Sequence, residues 1–302
     1  MTEPRPVAIV GPTATGKSEL AVELASALGG AVINADAMQL YRGMDIGTAK
    51  LTVSERRGVE HYLLDVLEVT ETASVAAYQR DARARLEELM VAGTVPVLCG
   101  GSGLYVQAVL DELRFPGTDP EVRAQLEGTA AEIGAEAMHA RLAERDPDAA
   151  AAILPSNVRR VVRALEVIEI TGRPFSATLP QPGPARYGAV MLGIDRQRDE
   201  LDERVDRRVR RMFEAGLVDE VRELDRRGLR EGKTASRALG YRQVLEQLDD
   251  NGDMAAAANA TAAATRRFVR KQRSWFRRDR RIVWLDGSDR DLLDRALDQV
   301  AS

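Results

Sequence analysis

The stretch Val7-Ala-Ile-Val-Gly-Pro-Thr-Ala-Thr-Gly-Lys-Ser18 decides the fold, because it predicts a strand, a glycine-rich loop and a helix in immediate succession. Val7 to Val10 form a short apolar run that is typical of a buried strand. Gly11 to Ser18 match the pattern G-x-x-x-x-G-K-S, and Glu19 to Leu24 continue with helical spacing. Together they predict a phosphate-binding P-loop at the end of the first strand of an α/β sheet.

The predicted loop supplies backbone and side-chain groups that suit a phosphate. Its glycines let the backbone curl so that successive N–H groups point into one hollow, and the helix N-terminus adds partial positive charge. Lys17 brings a full charge, and the Ser18 hydroxyl is suited to Mg²⁺, the metal ion that we expect here. The predicted phosphate ligands are Gly11, Pro12, Thr13, Ala14, Thr15, Gly16, Lys17 and Ser18. The loop indicates a phosphate ester or anhydride without saying which one.

Composition and charge limit the class of protein. The chain has 302 residues, a formal net charge of −4 and a single cysteine, which excludes an internal disulfide and a zinc site built from cysteines. The sequence has no long apolar segment, so we expect no membrane span, no cleavable signal and a cytoplasmic protein. Arginine is concentrated in the second half, so mild overall acidity does not argue against a nucleic-acid partner.

Two breaker-rich segments divide the chain, Phe115 to Pro120 and Thr178 to Ala185. Between them the pattern is helical from Asp119 to about Arg173. Strands are predicted outside them at Ala31 to Asp36, His61 to Leu67, Thr94 to Cys99, Gly188 to Ile194 and Arg281 to Asp286. Helices are predicted at Ser74 to Val91, Asp199 to Arg227, Gln243 to Leu248 and Asp253 to Arg278. The predicted fold is a P-loop NTPase-like α/β core, residues 1–114 and 188–302, with an inserted all-helical lobe, residues 115–187.

Asp36 is the first candidate for chemistry. It ends a predicted strand, and ligands of open parallel sheets bind at the carboxyl ends of the strands, so it should lie beside the P-loop. The strand that ends at Cys99 is followed by two glycines, whereas P-loop ATPases commonly place there an acid that helps to hold Mg²⁺. Cys99 itself fits a small buried hydrophobic position better than a nucleophile.

The last long helix carries arginines on one face. Arg266, Arg270, Arg273 and Arg277 recur at helical spacing, with few acidic residues on the same helix to offset their repulsion. This face predicts contact with a nucleic-acid phosphate backbone. The neighbouring face should pack on the core through Phe268, Gln272, Trp275 and Phe276.

Six motifs together resemble one family, the bacterial tRNA dimethylallyltransferases, over nearly the whole chain. Taken singly, every motif except the P-loop is a weak signal. The six motifs together, in this order, are specific for the family. Ala37 stands where the family often has Ser, and Ser102 stands where Thr is common. The motifs are Gly11 to Ser18, Asn34 to Lys50, Gly100 to Tyr105, Arg163 to Glu166, Leu239 to Gln243 and Arg270 to Arg277.

The resemblance implies transfer of a dimethylallyl group from dimethylallyl diphosphate to N6 of adenosine 37 of tRNA, with release of diphosphate. It implies that Asp36 is the general base, that Lys17 and Ser18-bound Mg²⁺ neutralise the leaving group, and that Arg208 lies near the phosphates. It further implies a monomer that binds the tRNA anticodon arm. The matching tRNA-binding positions are Asp36, Ala37, Met38, Gln39, Ser102, Arg123, Arg159, Arg160, Arg163, Arg237, Gly240, Tyr241 and Arg242.

Two other functions are compatible with parts of the sequence. A P-loop small-molecule kinase also places an acid after the second strand, although the glycines after Cys99 and the arginine-rich helices count against it. A nucleotide-regulated RNA-binding protein without chemistry would explain the arginines, but it leaves Asp36 beside the P-loop without a role.

Overall fold

The computed structural model describes residues 4–113, 115–176, 183–249 and 252–302. Within these ranges, six strands form one parallel sheet in the order β3-β2-β4-β1-β5-β6. The strands are β1 (Val7–Val10), β2 (Ala31–Asn34), β3 (His61–Tyr62), β4 (Pro96–Gly100), β5 (Val190–Asp195) and β6 (Val283–Asp286). The predicted parallel α/β core is therefore confirmed.

Helices follow most strands and make up the rest of the regular structure. They are α1 (Lys17–Leu28), α2 (Val75–Val91), α3 (Gly103–Leu110), α4 (Pro120–Arg145), α5 (Pro147–Ala152), α6 (Val158–Thr171), α7 (Arg198–Glu214), α8 (Leu217–Arg226), α9 (Tyr241–Asp249), α10 (Met254–Phe276) and α11 (Leu292–Ala301). As predicted, α10 begins after an Asp253 cap, whose carboxylate accepts a hydrogen bond from the Ala255 N–H.

The sheet is buried on both faces, as its apolar strands require. In β1, Ala8 and Val10 pack on the side of α2 and α3. Val7 and Ile9 pack on the opposite side, against α1 and α11. Because β1 lies between β4 and β5, the P-loop that follows it meets the loops after both neighbours at the carboxyl edge of the sheet.

The chain divides into two compact units, Met1–Leu110 with Pro184–Ser302, and Asp111–Gly183. The smaller unit holds α4, α5 and α6 around its own apolar core, which includes Met138, Leu142 and Leu165. Part of the second predicted junction, Thr178 to Ala185, lies outside the described residues. In the larger unit, α8, α9 and the start of α10 form a second apolar core with the segment that follows β2.

Two strands end earlier than the sequence predicts. β2 stops at Asn34, because the Asn34 side chain turns back to bind the backbone of Asp36 through both its amide oxygen and its nitrogen. β3 covers only His61 and Tyr62, since Leu63 and Asp65 have positive φ values of 60° and 56°. The prediction of a strand to Leu67 was wrong, because Asp65 turns toward the buried Lys50 and forms an ion pair with it at 2.6 Å.

Two other differences concern the C-terminal part of the chain. Helix α11 was not predicted, although Leu292, Leu293 and Leu297 form an apolar stripe that packs with α1. Phe268 and Trp275 do not dock fully on the core, since 40% and 38% of their surfaces are exposed. Gln272 and Phe276 are buried as predicted.

Candidate active site

The P-loop conformation depends on two of its glycines. A side chain at Gly11 would place its Cβ 2.3 Å from the Ile194 carbonyl oxygen of the neighbouring strand. Gly16 adopts a φ of 105°, which side-chain-bearing residues rarely tolerate. Ala14 also has a positive φ, 66°, so the loop keeps one strained non-glycine residue at its tip. The backbone is thus held in the curled form that presents N–H groups to one side.

Lys17 lies in the interior of the loop and is almost fully buried. Its Nζ donates to the Pro12 carbonyl oxygen, which also accepts a hydrogen bond from the Thr15 hydroxyl at 3.0 Å. Burial, with a smaller contribution from Arg208, lowers the pKa of Lys17 to about 8, although Cys99, Asp36 and Asp195 oppose the shift. Its charge is therefore poorly compensated, and an anion in the loop would stabilise it.

Side chains from distant elements brace the outside of the loop. The Gln272 side chain on α10 accepts a hydrogen bond from the Thr13 N–H at 3.0 Å and donates to the Gly101 carbonyl oxygen at 2.9 Å. Arg204 donates to the Ala14 carbonyl oxygen at 2.8 Å, and Arg196 donates to the Thr15 carbonyl oxygen at 3.0 Å. Sequence reasoning did not give these residues this role. The one sequence signal for such a role was Gln272, an amide predicted to pack on the core from an arginine-rich helix.

Asp36 is half-buried and held in a fixed turn. Its N–H donates to the Asn34 Oδ1 at 2.8 Å, and its Oδ1 accepts from the Met38 N–H at 2.9 Å. The following N–H, that of Ala37, donates to the Ser102 hydroxyl at 3.2 Å. The described residues form no hydrogen bond to Asp36 Oδ2, so this oxygen can accept a proton or a hydrogen bond from a ligand.

Arg208 reaches the same region from α7. Its Nη2 donates to the Thr48 carbonyl oxygen at 3.1 Å. Burial lowers the pKa of Arg208, and attraction to Asp36 opposes that shift. Lys17 also interacts electrostatically with both Arg208 and Asp36. Three charged side chains, two cationic and one anionic, therefore meet in one place.

These groups line a cavity of 760 Å³ at the carboxyl edge of the sheet. Most predicted site residues of this region are found in its wall, namely Thr13, Ala14, Gly16, Lys17, Ser18, Asp36, Gln39 and Arg208. Gly11, Pro12 and Thr15 are buried residues outside the lining, where they support the loop. The cavity also has positive side chains that were not predicted, Lys50, Arg204, Arg207 and Arg211. Its size and charge suit an anionic ligand that carries an apolar group.

Cys99 lies in the interior, as predicted for a small buried residue. Its Sγ donates to the Lys17 carbonyl oxygen at 3.7 Å, and burial raises its pKa to about 11. Burial therefore favours the thiol over the reactive thiolate.

Comparison with known proteins places the chain in a family. The family model described as IPP transferase matches residues 39–279, which is most of the sequence. The chain belongs to the IPP transferase family. Among related IPP transferase sequences, the tRNA dimethylallyltransferase of Saccharopolyspora erythraea is 69% identical over 285 residues, covering 94% of this chain and 92% of the relative.

Solved structures agree with this membership. The tRNA isopentenylpyrophosphate transferase of Bacillus halodurans is 40% identical and superposes with a TM-score of 0.72, covering 98% of this chain and 97% of that one. A eukaryotic dimethylallyltransferase acting on tRNA shares the fold, with a TM-score of 0.81 at 24% identity and coverage of 99% of this chain and 77% of that one. The resemblance inferred from the six motifs is confirmed.

The RNA-binding residues predicted near α9 differ in exposure. Tyr241 is fully buried and its hydroxyl donates to Glu220 at 2.5 Å, so its side chain packs inside the protein, and contact of this position with RNA stays a prediction. Gly240 is also buried and has a φ of 88°. Arg237 and Arg242 are exposed and remain available to a polyanion. The predicted set near α9 therefore contains two exposed residues, Arg237 and Arg242, and two buried residues, Gly240 and Tyr241.

The predicted RNA-binding arginines of the smaller unit also differ from one another. Arg123 and Arg163 both form ion pairs with the buried Glu166, the second at 2.8 Å. The Arg123 pair joins α4 to α6, whereas the Arg163 pair lies within α6. Arg159 and Arg160 are exposed on α6. The two exposed residues are the stronger candidates for phosphate contact in this IPP transferase.

The arginine face of α10 is less free than the sequence suggested. Arg273 donates to Asp195 at 2.7 Å, and Arg266 forms an ion pair with Asp206. As predicted, α10 itself supplies no acidic partner, but acids on β5 and α7 pair with two of its arginines. Arg270 is exposed, and no described acidic residue pairs with it.

The acidic residues do not form a metal centre by themselves. Among the residues that the structure describes, no cluster of three His, Cys, Asp or Glu side chains could hold a metal ion. β4 ends at Gly100, one residue later than predicted, and the position where P-loop ATPases commonly have an acid carries none, as the sequence indicated. The oxygen donors that line the cavity include the Ser18 hydroxyl and the Asp36 carboxylate. This set fits Mg²⁺, which keeps several waters and commonly binds through one or two protein oxygens plus substrate phosphates.

No helix among the described residues is long and apolar enough to cross a membrane.

Proposed function

We propose that this protein transfers a dimethylallyl group from dimethylallyl diphosphate to N6 of adenosine 37 in tRNA and releases diphosphate. The observation that carries the proposal is the meeting of Lys17, Arg208 and Asp36 in one cavity. Two of these groups suit a diphosphate leaving group, and the third suits the proton of an amine. Membership in the IPP transferase family and the names of the relatives support the same reaction.

The chemistry follows from these three side chains. The C1–O bond of the allylic diphosphate breaks and its electron pair leaves with the diphosphate, while the N6 lone pair forms the new bond to C1. Lys17 and Arg208 neutralise the charge that grows on the departing oxygen, the kind of electrostatic term that is usually the largest in catalysis. The Asp36 carboxylate takes the proton that N6 loses, and its unbonded Oδ2 is suited to this.

Mg²⁺ would be held by the Ser18 hydroxyl together with the substrate phosphates. When bound, it would act as a Lewis acid on the diphosphate oxygens. The protein's own contribution is to hold the diphosphate in the P-loop and to keep the Asp36 carboxylate in its turn. Apolar side chains in the wall, including Ile46, Leu51 and Leu64, suit the five-carbon group.

The adenine must leave its base stack to reach this cavity, so the proposal includes base flipping. The exposed Arg159, Arg160, Arg237, Arg242 and Arg270 are proposed to bind phosphates of the tRNA anticodon arm. By the resemblance to the family, the protein is proposed to act as a monomer in the cytoplasm.

The direct test is incubation with dimethylallyl diphosphate, Mg²⁺ and unmodified tRNA. We expect release of diphosphate and a matching mass gain on the tRNA. Asp36→Asn is the control that keeps the size of the side chain but cannot accept the proton. ATP should be neither hydrolysed nor needed, and tRNA-stimulated ATP hydrolysis without a mass gain would refute the proposal.

A further inference from the structure

The loop from Asp45 to Lys50 forms one wall of the cavity, and Asp45, Ile46, Thr48, Ala49 and Lys50 all line it. It also contains Thr48, the residue that accepts a hydrogen bond from Arg208. The Thr48 carbonyl oxygen accepts hydrogen bonds from Arg208 Nη2 at 3.1 Å and from Gln39 Nε2 at 3.2 Å. Among the described residues, Arg208 makes no other hydrogen bond, so the position of its guanidinium depends on where this loop places Thr48.

Glu220 on α8 holds this loop from the side away from the cavity. Its carboxylate accepts hydrogen bonds from three consecutive backbone N–H groups, those of Asp45 at 3.1 Å, Ile46 at 2.8 Å and Gly47 at 3.1 Å. Consecutive N–H groups that converge in this way form an anion-binding hollow. Here the anion is a side chain of the protein itself, and hydrogen bonds to an ionised acceptor are stronger than neutral ones.

Tyr241 completes the arrangement. Its hydroxyl donates to Glu220 Oε1 at 2.5 Å, the same oxygen that receives the Gly47 N–H. Its ring lies directly against Gly47, where a Cβ would come within 2.4 Å of a ring carbon. The ring is fully buried, so it fixes the orientation of Glu220 and leaves no room for a side chain at Gly47.

From this geometry we infer that Glu220 and Tyr241 are positioning residues for Arg208. They fix the backbone of residues 45–47, the backbone fixes the Thr48 carbonyl, and the carbonyl orients the guanidinium toward the leaving group. Glu220 itself does not line the cavity. The inference rests on the proposed function only for the role of Arg208, since the arrangement of Glu220, Tyr241 and the loop is independent of it.

The first test measures the loop without using activity. Glu220→Gln removes the charge and replaces one acceptor oxygen with an NH₂ group. Hydrogen–deuterium exchange at the amides of Asp45, Ile46 and Gly47 should then become faster. Glu223→Gln is the matched control, because Glu223 lies on the same helix, is exposed and pairs only locally with Arg226. Unchanged exchange at these amides in the Glu220 variant would overturn the inference, whether or not the protein is a transferase.

The second test asks whether the loop acts through Arg208. With both substrates saturating, Glu220→Gln should lower the single-turnover transfer rate about 10- to 100-fold, the scale of loss that misplacement of a catalytic group produces. In an Arg208→Lys background, Glu220→Gln should lower the transfer rate less than about threefold, since the effects of coupled substitutions are not additive. Equal losses in both backgrounds would make Glu220 a general stabilising residue and refute the positioning role.

Tyr241→Phe is the milder variant, should Glu220→Gln fail to fold. It keeps the ring against Gly47 and removes only the hydroxyl. We expect faster exchange at the Gly47 amide and a smaller loss of transfer rate than in Glu220→Gln.

If wild-type protein shows no transfer at all, the proposed function fails, but the exchange measurements still test whether Glu220 and Tyr241 hold the loop. If exchange rises but transfer is unchanged, the link to Arg208 is refuted.

Discussion

The side-chain oxygen of Gln272 accepts a hydrogen bond from the Thr13 N–H at 3.0 Å, so a helix near the end of the chain holds the loop near its start. The same amide donates to the Gly101 carbonyl oxygen, which joins the loops after β1 and β4. A Cβ at position 101 would lie 2.3 Å from Gln272 Nε2, which shows how closely the amide is packed. The phosphate-binding loop is thus supported by α10 as well as by its own backbone.

Replacing Gln272 by Ala should reduce both stability and diphosphate binding. The change leaves the Thr13 N–H and the Gly101 carbonyl oxygen without their partner, at a cost of about 1–3 kcal/mol in the free energy of unfolding. Denaturant unfolding measures the first effect, and calorimetric titration with inorganic diphosphate measures the second. Lys271→Ala, at an exposed neighbour, is the control. If Gln272→Ala and Lys271→Ala had the same free energy of unfolding and the same diphosphate affinity, the bracing role of Gln272 would be contradicted.

Diphosphate affinity should fall as the pH rises above about 8. Burial lowers the pKa of Lys17 to about 8, and a bound anion favours the charged amine, so binding raises that pKa. Affinity is then full below the pKa of the free protein and drops as the free amine loses its proton, by about tenfold per pH unit. Titrations of wild type between pH 7 and 9.5 test this. Lys17→Ala should bind weakly with a flat profile over the same range, and a flat wild-type profile would refute the prediction.

Asp36→Asn should slow the chemical step with little effect on diphosphate binding. The amide cannot accept the N6 proton, which predicts a fall of about 10²-fold or more in single-turnover rate, or ~2.7 kcal/mol of transition-state stabilisation. The P-loop contacts are untouched, so the Kd for dimethylallyl diphosphate should hardly change. Transfer within about threefold of wild type would show that Asp36 only positions the substrate.

Arg270 and Arg273, three positions apart on α10, should respond differently to truncation. Arg270→Ala removes an exposed charge, so stability should stay unchanged while the log–log salt slope of tRNA binding falls by roughly 0.7–0.9. Arg273→Ala leaves Asp195 without its closest partner and should lower the unfolding free energy by about 1–3 kcal/mol. Salt-dependent tRNA binding and denaturant unfolding of both variants make the comparison. If only Arg270→Ala lowered the free energy of unfolding, these roles for Arg270 and Arg273 would be contradicted.

The sequence predicted those parts of the molecule that depend on neighbours along the chain. The P-loop, the parallel core and the placement of Asp36 beside Lys17 follow from short motifs and from the geometry of parallel strands. The function of Arg273 could not be predicted in this way, because its partner Asp195 is 78 residues away. The packing of Tyr241 could not be predicted for the same reason, since Glu220 and Gly47, which it contacts, belong to other elements. Helix α11 was missed although its apolar stripe was visible in the sequence.

The bond between Thr13 and Gln272 spans 259 residues and therefore sets an order of events during synthesis. At about 5–20 residues per second, a ribosome needs between roughly 13 and 52 s to add the second residue after the first. During that time the nascent chain carries a phosphate loop that lacks its hydrogen bond to Gln272. Premature termination before α10 would leave such a chain with Lys17 and the glycines of the loop but without the brace. Full support of the loop thus waits until α10 has been synthesised.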